Sequence, residues 1–301
     1  MELKYIVTET DLNKSIKNIL LSEFHISHRL LTTLKKEKQI FLNEKDFIYT
    51  PLKVKDVIKV SFDYEEDNSN IVPRKMDLKI VYEDEWMLIV NKPSGIPVHP
   101  SILHYEDSLS NGIKYYFDSI GLKKKIRPIT RIDKDTSGLV IFAKCEYIQE
   151  ELIRQMENNT FKKEYIAIVH GIFDNKQGII NAPIARKENS IIERCIDNNG
   201  SPSVTEYEVI KEDYDNNFSV IKCNLKTGRT HQIRVHMCYI GHPLLGDDLY
   251  GGKMDLINRQ ALHCNKLSFI HPITKENINL EADFPTDILE IVNKIKKIKY
   301  N

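Results

Sequence analysis

Residues 131–144 read RIDKDTSGLVIFAK, and this stretch decides how the rest of the chain is interpreted. Residues 139–143 form an apolar run with the length and the β-branched content of a buried strand. A polar turn that feeds such a strand can hold a carboxylate on a rigid support. Asp133 and Asp135 taken alone are nevertheless more typical of a solvated turn with an aspartate cap. The other motifs of the chain must therefore decide whether either carboxylate is functional.

The composition is that of a soluble protein with no global charge. The 301 residues include 43 basic and 43 acidic side chains, so affinity for nucleic acid would have to come from local basic patches. The N-terminus lacks a signal-peptide pattern, and no stretch approaches the ~18 consecutive apolar residues of a membrane span. We therefore expect a cytoplasmic protein that does not contact a membrane.

The cysteines and histidines give no sign of a disulfide framework or a metal site. Five cysteines are present, and none of them forms a C-x-x-C pair. This usage favours a reducing compartment. The possible metal ligands that lie closest together in the sequence are His231, His236, Cys238 and His242. Their spacing matches no usual zinc pattern, so we expect no metal.

Residues 1–62 predict a compact unit of two short helices followed by a small strand pair. A helical apolar stripe covers residues 11–24, and Ser27 is the predicted N-cap of the second helix. Strands are predicted over 40–42 and 57–60. The second helix has a basic edge, which is most often only a solvated face. The residues of this edge are Arg29, Lys35, Lys36 and Lys38.

Residues 63–76 are polar and acidic and are interpreted as a linker, which makes residues 77–301 a second, larger domain. The basic run 123–127 is typical of a solvated surface, but its position beside residues 131–144 would also suit a phosphate backbone. Strands are predicted over 78–82, 86–90 and 164–169. Helices are predicted over 108–120, 147–157 and 230–240, the last with Thr230 as its cap, and a final helix includes Ile288, Val292, Ile295 and Ile298.

Three polar side chains stand out because they are set in or beside apolar segments. Asp133 precedes the strand at 139–143, Tyr165 lies within the strand at 164–169, and Arg234 lies on the helix at 230–240. A buried tyrosine is usually a core residue with one satisfied hydroxyl, and a buried arginine usually forms a structural ion pair. Taken singly, each residue therefore favours a structural interpretation.

Taken together, the motifs of the second domain resemble those of the RluA-type pseudouridine synthases. RIDKDTSG at 131–138 resembles that family's Arg-Leu-Asp-x-x-Thr-Ser-Gly, and KEYIAIVHG at 163–171 resembles its Lys-x-Tyr-x-Ala-x-Val-x-Gly. Ile132 in place of leucine is a volume-conserving change. The other matching stretches are NKPSG at 91–95, TGRTHQIRVHM at 227–237, HPLLGD at 242–247 and LHCNKLSF at 262–269.

The N-terminal unit resembles the S four-like RNA-binding domain. That family has a strand that ends in Val-Asn-Gly and a later strand that begins with Val-x-x-Gly-Asp. In this chain Glu44 and Lys55 stand where the two glycines would be. The resemblance implies an RNA-binding unit ahead of the catalytic domain, an arrangement found in several family members that modify ribosomal RNA.

The two resemblances imply an α+β fold with a mixed, largely antiparallel sheet, flanking helices and a central RNA-binding cleft, preceded by a small α+β domain. They imply an isomerase that converts uridines of RNA to pseudouridine without a cofactor. Asp133 would be the catalytic carboxylate, Arg234 its charged partner, and Tyr165 a stacking platform and candidate general base. The implied substrate-binding residues are Leu262 in the base pocket, Arg131 beside it, and Arg29, Lys35, Lys36 and Lys38 on the N-terminal unit.

Several alternatives remain open at this point. Ribosomal large-subunit RNA is the expected substrate, with transfer RNA as the alternative. A ribosome-assembly factor that binds RNA without catalysis, or a hydrolase that uses Asp133 and Asp135 as a carboxylate pair, would use the same residues differently. Asp133 would either attack the sugar or promote loss of the base through a glycal-type intermediate. We expect a monomer.

Overall fold

The computed structural model describes residues 1–46 and 51–295. These residues form a small N-terminal unit and a larger unit that is built on a ten-stranded sheet. Each of the predicted domains, 1–62 and 77–301, includes some residues that lie outside the described ranges. Ile298 of the predicted last helix is one of these residues. The division at the predicted linker stays a prediction.

In the part of the N-terminal unit that the structure describes, a four-stranded antiparallel sheet and two α-helices share one apolar core. Ser27 caps the second helix as predicted, because its Oγ accepts a hydrogen bond from the Leu30 N–H at 3.1 Å. The first helix is shorter than predicted, because a 3₁₀ turn at Glu9–Asp11 and an N-cap at Ser15 precede it. In the order β1-β4-β2-β3, the strands are β1 (Glu2–Ile6), β2 (Ile40–Leu42), β3 (Lys45–Asp46) and β4 (Val57–Ser61), and the helices are α1 (Ile16–Ser22) and α2 (His28–Lys36).

The two residues that replace the expected glycines keep a left-handed backbone. The φ angle is +63° at Glu44 and +74° at Lys55. Asn43 joins the two turns, since its side chain donates to Asp56 at 2.8 Å and accepts from the Val57 N–H at 2.9 Å. A residue with a side chain pays roughly 1–2 kcal/mol in this conformation. The backbone of this corner is therefore one that glycine would favour.

Replacing Lys55 by glycine should stabilise the protein. The free energy gained by removing the side chain from the left-handed conformation exceeds the entropic cost of glycine in the unfolded chain. We therefore expect the free energy of unfolding to rise by about 0.5–1 kcal/mol. Urea unfolding followed by circular dichroism measures it. Lys53→Gly is the matched control, because Lys53 is also exposed but has no positive φ, and it should lower stability. A lower unfolding midpoint for Lys55→Gly would contradict the account.

Within the described residues, the larger unit contains one long mixed sheet, a two-stranded ribbon, four α-helices and a 3₁₀ turn at Asp248–Tyr250. Its strands are β5 (Ile80–Glu83), β6 (Met87–Lys92), β7 (Arg127–Pro128), β8 (Ser137–Ala143), β9 (Lys162–His170), β10 (Gln177–Asn181), β11 (Ile184–Arg186), β12 (Arg194–Ile196), β13 (Val204–Asp213), β14 (Phe218–Leu225), β15 (Leu262–Ile270) and β16 (Asn277–Glu281). Its helices are α3 (Leu109–Ser119), α4 (Glu146–Glu157), α5 (Gln232–Tyr239) and α6 (Thr286–Lys294). Each helix in the described ranges is too short or too polar to span a lipid bilayer.

The strand order of the long sheet is β10-β13-β14-β9-β15-β8-β6-β5, with β7 added to β8 and β16 to β15. Strands β8 and β15 are parallel, and the other pairs among the described strands are antiparallel. The prediction of an α+β fold with a mixed, largely antiparallel sheet is therefore confirmed.

Strand β8 lies in the middle of the sheet and is buried along its whole length, which confirms the strand predicted at 139–143. Alternate residues serve the two faces. Val140 and Phe142 pack in a cluster with α3, while Leu139 and Ile141 belong to the main core, which includes residues of α4. The turn with Asp133 is thereby attached to a strand that is covered on both sides.

The parallel contact between β8 and β15 requires a glycine at position 138. Gly138 has a φ of +119°, and a Cβ there would lie 2.3 Å from the Cys264 carbonyl oxygen. The paired residues are Ser137 with His263 and Gly138 with Cys264. This close approach brings the start of β15, with Leu262, next to the turn that precedes β8.

Residues 63–76 run along the larger unit, and two basic residues of the run 123–127 are used to hold them. The Lys124 ammonium is buried and donates to the carbonyl oxygens of Phe62 and Tyr64. Arg127 is buried in an ion pair with Glu66. The expectation that this run contacts a phosphate backbone is wrong for Lys124 and Arg127, because the preceding segment folds back over them.

Candidate active site

Asp133 begins the turn that enters β8, and the main chain of this turn is fixed from several directions. The Thr136 N–H donates to the Asp133 carbonyl at 3.1 Å. The buried Lys92 ammonium donates to the Lys134 carbonyl at 2.8 Å. Further donors to the carbonyls of Lys134 and Asp135 are Ser94, Gly95 and Arg259. The turn is thus held through its backbone, which leaves the Asp133 side chain available.

A cavity of about 720 Å³ opens beside this turn. Its walls come from the turn before β8, from β9, from β15, and from α5 with the loop that precedes it. Five predicted residues line it together, namely Asp133, Tyr165, Arg234, Leu262 and Arg131. The predicted RNA-contacting residues that do not line it are Arg29, Lys35, Lys36 and Lys38.

Arg234 is fixed in the cavity wall by a carboxylate that was not predicted to be its partner. Its Nε and Nη2 donate to the two carboxylate oxygens of the buried Asp247 at 2.7 and 2.8 Å. Its Nη1 lies 3.4 Å from Asp133 Oδ2. The Tyr250 ring packs 4.9 Å from the guanidinium carbon. Arg234 is therefore held by Asp247 and presents its remaining edge to Asp133.

The prediction that Thr230 caps helix α5 is wrong. The N-cap position is taken by His231, which has a left-handed φ of 57°, and the preceding Thr230 is exposed. The loop before α5 is held instead by the Gln232 side chain, whose Oε1 accepts from the Arg229 N–H at 3.0 Å and from the Thr227 hydroxyl at 2.8 Å. This bend turns the His231 side chain into the cavity.

His231 is the second basic group that faces Asp133. Its Nε2 lies 3.9 Å from Asp133 Oδ2, and its Nδ1 lies 2.9 Å from the Tyr250 hydroxyl. The Tyr250 oxygen already accepts from the Arg194 N–H at 2.9 Å, so we assign its proton to His231 Nδ1. Burial lowers the pKa of His231, so the ring is neutral near pH 7. In this tautomer Nε2 carries the proton and points toward the carboxylate.

Tyr165 and Leu262 lie on the neighbouring strands β9 and β15. Tyr165 is paired with Cys264 in the sheet, and Leu262 with Ala167. The Tyr165 side chain is buried, with 5% of the residue exposed, and its ring lines the cavity. Leu262 adds an apolar surface beside it. These side chains form a wall suited to a flat ring in the cavity that the charged groups also line.

The chain is similar to known proteins over nearly its whole length. A family model described as RNA pseudouridylate synthase matches residues 86–239, which include Asp133, Tyr165 and Arg234. The "Uncharacterized RNA pseudouridine synthase YhcT" of Bacillus subtilis (strain 168) is 37% identical over 287 residues, 95% of each chain. The chain belongs to the RNA pseudouridylate synthase family.

Other relatives agree with this assignment. The "Ribosomal large subunit pseudouridine synthase D" of Blochmanniella floridana is 35% identical over 299 residues, which cover 94% of this synthase and 89% of that protein. The solved structure of "Human RNA Pseudouridylate Synthase Domain Containing 1" matches with a TM-score of 0.58 and 27% identity, over 69% of this chain and 84% of that one. The predictions of an isomerase and of the pseudouridine synthase fold are confirmed.

Sequence reasoning missed two residues of the candidate site that contact its charged groups. Asp247 lies in the matched stretch HPLLGD, and a carboxylate that ends an apolar run was the available signal. His231 lies in the matched stretch TGRTHQIRVHM, but its left-handed backbone and its approach to Asp133 depend on the surrounding structure. Both residues lie in motifs that were recognised in the sequence, but no role was assigned to either residue.

The Tyr165 side chain is a protonated phenol near pH 7. Burial and the neighbouring Cys264 thiol raise the pKa of Tyr165 well above its usual range. A resting phenolate is therefore excluded near pH 7. The hydroxyl can donate or relay a proton, whereas action as a general base would require the phenol to lose its proton during the reaction.

Replacing Tyr165 by phenylalanine should separate stacking from proton transfer. The ring is retained, so RNA affinity should stay unchanged, while loss of the hydroxyl should slow the single-turnover rate by about 100-fold. Rapid-quench measurement of pseudouridine formation gives this rate. The control Tyr165→Leu removes the ring and should weaken binding, since base stacking contributes roughly 1–3 kcal/mol. A wild-type rate in Tyr165→Phe would leave the residue only a platform.

Proposed function

We propose that this synthase converts specific uridines of large-subunit ribosomal RNA to pseudouridine, and that Asp133 is the carboxylate that starts the reaction. The supporting observation is the cavity that places Asp133 within 3.4 Å of the Arg234 guanidinium and beside the Tyr165 ring and Leu262. Relatives named ribosomal large subunit pseudouridine synthase D, at 35–39% identity, support the choice of RNA.

The reaction is an intramolecular rearrangement. The bond between N1 of uracil and C1′ of the ribose breaks, the base rotates, a bond between C5 and C1′ forms, and the proton on C5 is lost as N1 gains one. Atoms and electrons balance without an external reactant or a cofactor. The protein must therefore supply an ionised carboxylate, a surface that retains the detached base, and groups that move one proton.

The ion-pair geometry suits a carboxylate that has to react. Arg234 donates its two shorter hydrogen bonds to Asp247, so its contact with Asp133 is a single, longer one. A bidentate pair with Asp133 would occupy both carboxylate oxygens. Asp133 keeps the stabilisation of a neighbouring positive charge, and one of its oxygens remains available for the ribose or for the proton that it would remove.

Binding of RNA would have to remove the target uridine from its stack, at a cost of a few kcal/mol. Stacking on Tyr165 would offset roughly 1–3 kcal/mol of it. The N-terminal unit would contribute contacts outside the cavity, through the basic edge of α2. We propose that it acts as an S four-like RNA-binding domain, which the left-handed backbone at Glu44 and Lys55 supports.

Mapping of pseudouridines in cells that lack this gene tests the choice of RNA. Ribosomal and transfer RNA from the deletion strain and from the same strain complemented with the wild-type gene are compared site by site. We expect one or a few positions of large-subunit ribosomal RNA to be uridine in the deletion strain and pseudouridine after complementation. Loss of sites from transfer RNA alone would overturn the ribosomal assignment.

A further inference from the structure

Lys163 is a cation in the cavity wall, and none of the described residues gives it an anionic partner. Its side chain is half-buried on β9 and lines the cavity. Within the described parts of the chain, no carboxylate lies within ion-pair distance of its ammonium and no carbonyl accepts a hydrogen bond from it. Burial lowers the pKa of Lys163, because the lost hydration of the charge is not replaced.

The lysines that are fully buried within the described ranges all have partners, whereas the half-buried Lys163 does not. Lys92 donates to three backbone carbonyls, and Lys124 donates to two. Lys144 pairs with the Glu83 carboxylate at 2.7 Å and donates to one carbonyl. A buried ammonium without such contacts is costly. Lys163 differs from these structural lysines in having its partner position open toward the cavity.

The neighbour that could supply a negative charge to Lys163 is neutral. Cys264 lies next to it, and burial raises the pKa of the Cys264 thiol to about 12. The cavity as a whole has an excess of positive charge, since its lining includes five lysine and arginine residues but only two acidic ones. One of the two acids, Asp133, already faces Arg234 and His231. An anion that enters the cavity would thus find Lys163 unneutralised.

The position of Lys163 relative to Tyr165 favours a phosphate of the RNA backbone as this anion. The two residues are separated by one position on β9, so their side chains point to the same face. They stand about 6.6 Å apart along the strand. The Lys163 ammonium lies close to Gly228 in the loop before α5, since a Cβ built on Gly228 would be 3.3 Å from Lys163 Nζ. A backbone phosphate of a nucleotide stacked on Tyr165 would be within reach of this ammonium.

We propose that Lys163 binds a backbone phosphate next to the target uridine and so positions the base on Tyr165. The inference deepens the proposed function, because it assumes that RNA enters this cavity. The contact replaces the missing partner of a desolvated ammonium by a phosphate oxygen. Lys163 is thus a positioning residue, and its effect acts through binding rather than through the reacting atoms.

The test compares Lys163→Met and Lys163→Arg with wild type on a large-subunit ribosomal RNA transcript labelled with tritium at carbon 5 of uridine. Tritium release gives KM and kcat over a series of salt concentrations. Lys163→Met should raise KM about tenfold with little change in kcat, as expected for a lost charged hydrogen bond. The log–log salt slope should become shallower by about 0.7, the value for one phosphate contact on a single strand. Lys163→Arg should restore most of both.

The matched control is Lys222→Met, on the neighbouring strand β14. Lys222 is paired with Glu208 at 2.5 Å and does not line the cavity, so its loss should leave KM and the salt slope unchanged. An unchanged KM and slope in Lys163→Met would overturn the proposal. A fall in kcat at constant KM would also overturn it and indicate proton transfer. If Lys163→Arg were as weak as Lys163→Met, the charge would not be the reason.

A binding measurement that needs no turnover distinguishes failure of the phosphate contact from failure of the proposed function. Filter binding of the same transcript to Asp133→Asn, with and without Lys163→Met, measures the salt slope without any turnover. If wild type released no tritium, the proposed substrate would be wrong, whereas a shallower slope in the double variant would still support the phosphate contact. An equal slope in both proteins would overturn that contact.

Discussion

Replacing Asp133 by asparagine should abolish pseudouridine formation, with a fall in rate of roughly 10⁴-fold or more, as is typical when a nucleophile is removed. The amide is nearly isosteric with the carboxylate but cannot be ionised, so it can neither attack the ribose nor accept a proton. The affinity for RNA should stay within a few-fold, because the surrounding wall is unchanged. Tritium release and filter binding of one ribosomal RNA transcript measure the two quantities.

Asp135→Asn is the matched control for this prediction. The turn is held through the Asp135 carbonyl, which accepts from Ser94 and Arg259, and the carboxylate does not line the cavity. Activity should therefore persist in this variant. Retained turnover in Asp133→Asn would refute the role of Asp133. An equal loss in both variants would favour a carboxylate pair over a single catalytic carboxylate.

The second large effect is expected at Asp247. Replacing it by alanine leaves Arg234 buried beside Asp133 without its bidentate partner. Removal of one member of a buried ion pair typically destabilises a protein by about 3–5 kcal/mol. Activity should fall as well, because the guanidinium is no longer held at a fixed distance from Asp133. Urea unfolding and tritium release measure the two effects.

The double variant Arg234→Met with Asp247→Leu separates stability from catalysis. Replacing both charges by apolar side chains avoids an unpaired buried charge, so stability should recover much of the loss. Activity should remain absent, since Asp133 has lost its charged neighbour. A free energy of unfolding for Asp247→Ala within about 1 kcal/mol of wild type would contradict the structural role of this pair.

The catalytic motifs of the synthase were readable from the sequence because each is local. The apolar run after Asp133 indicated a buried strand, and the matched stretches nominated Tyr165, Arg234 and Leu262, which the fold brings into one cavity. The family resemblance implied a mixed, largely antiparallel sheet, but the strand order and the parallel contact of β8 with β15 were not predicted, because they join residues that are far apart in sequence.

What the sequence could not provide depends on contacts between distant segments. Lys124 and Arg127 were expected to face RNA, yet both are buried once residues 63–76 fold across them. The partner of Arg234 is 13 residues away, beyond the end of α5, and no helical spacing links the two. The left-handed backbone at His231 is set by its packing against Tyr250 and by the Gln232 contacts. Burial and pairing of charges are properties of the assembled fold.

A mass balance of the reaction tests most directly whether this protein is an isomerase that acts on ribosomal RNA. The purified protein is incubated with an unmodified large-subunit ribosomal RNA transcript and no added cofactor, and nucleosides and free bases are quantified by chromatography. We expect the uridine lost to equal the pseudouridine gained, with no release of free uracil. Release of free uracil, or RNA binding without any pseudouridine, would contradict this expectation.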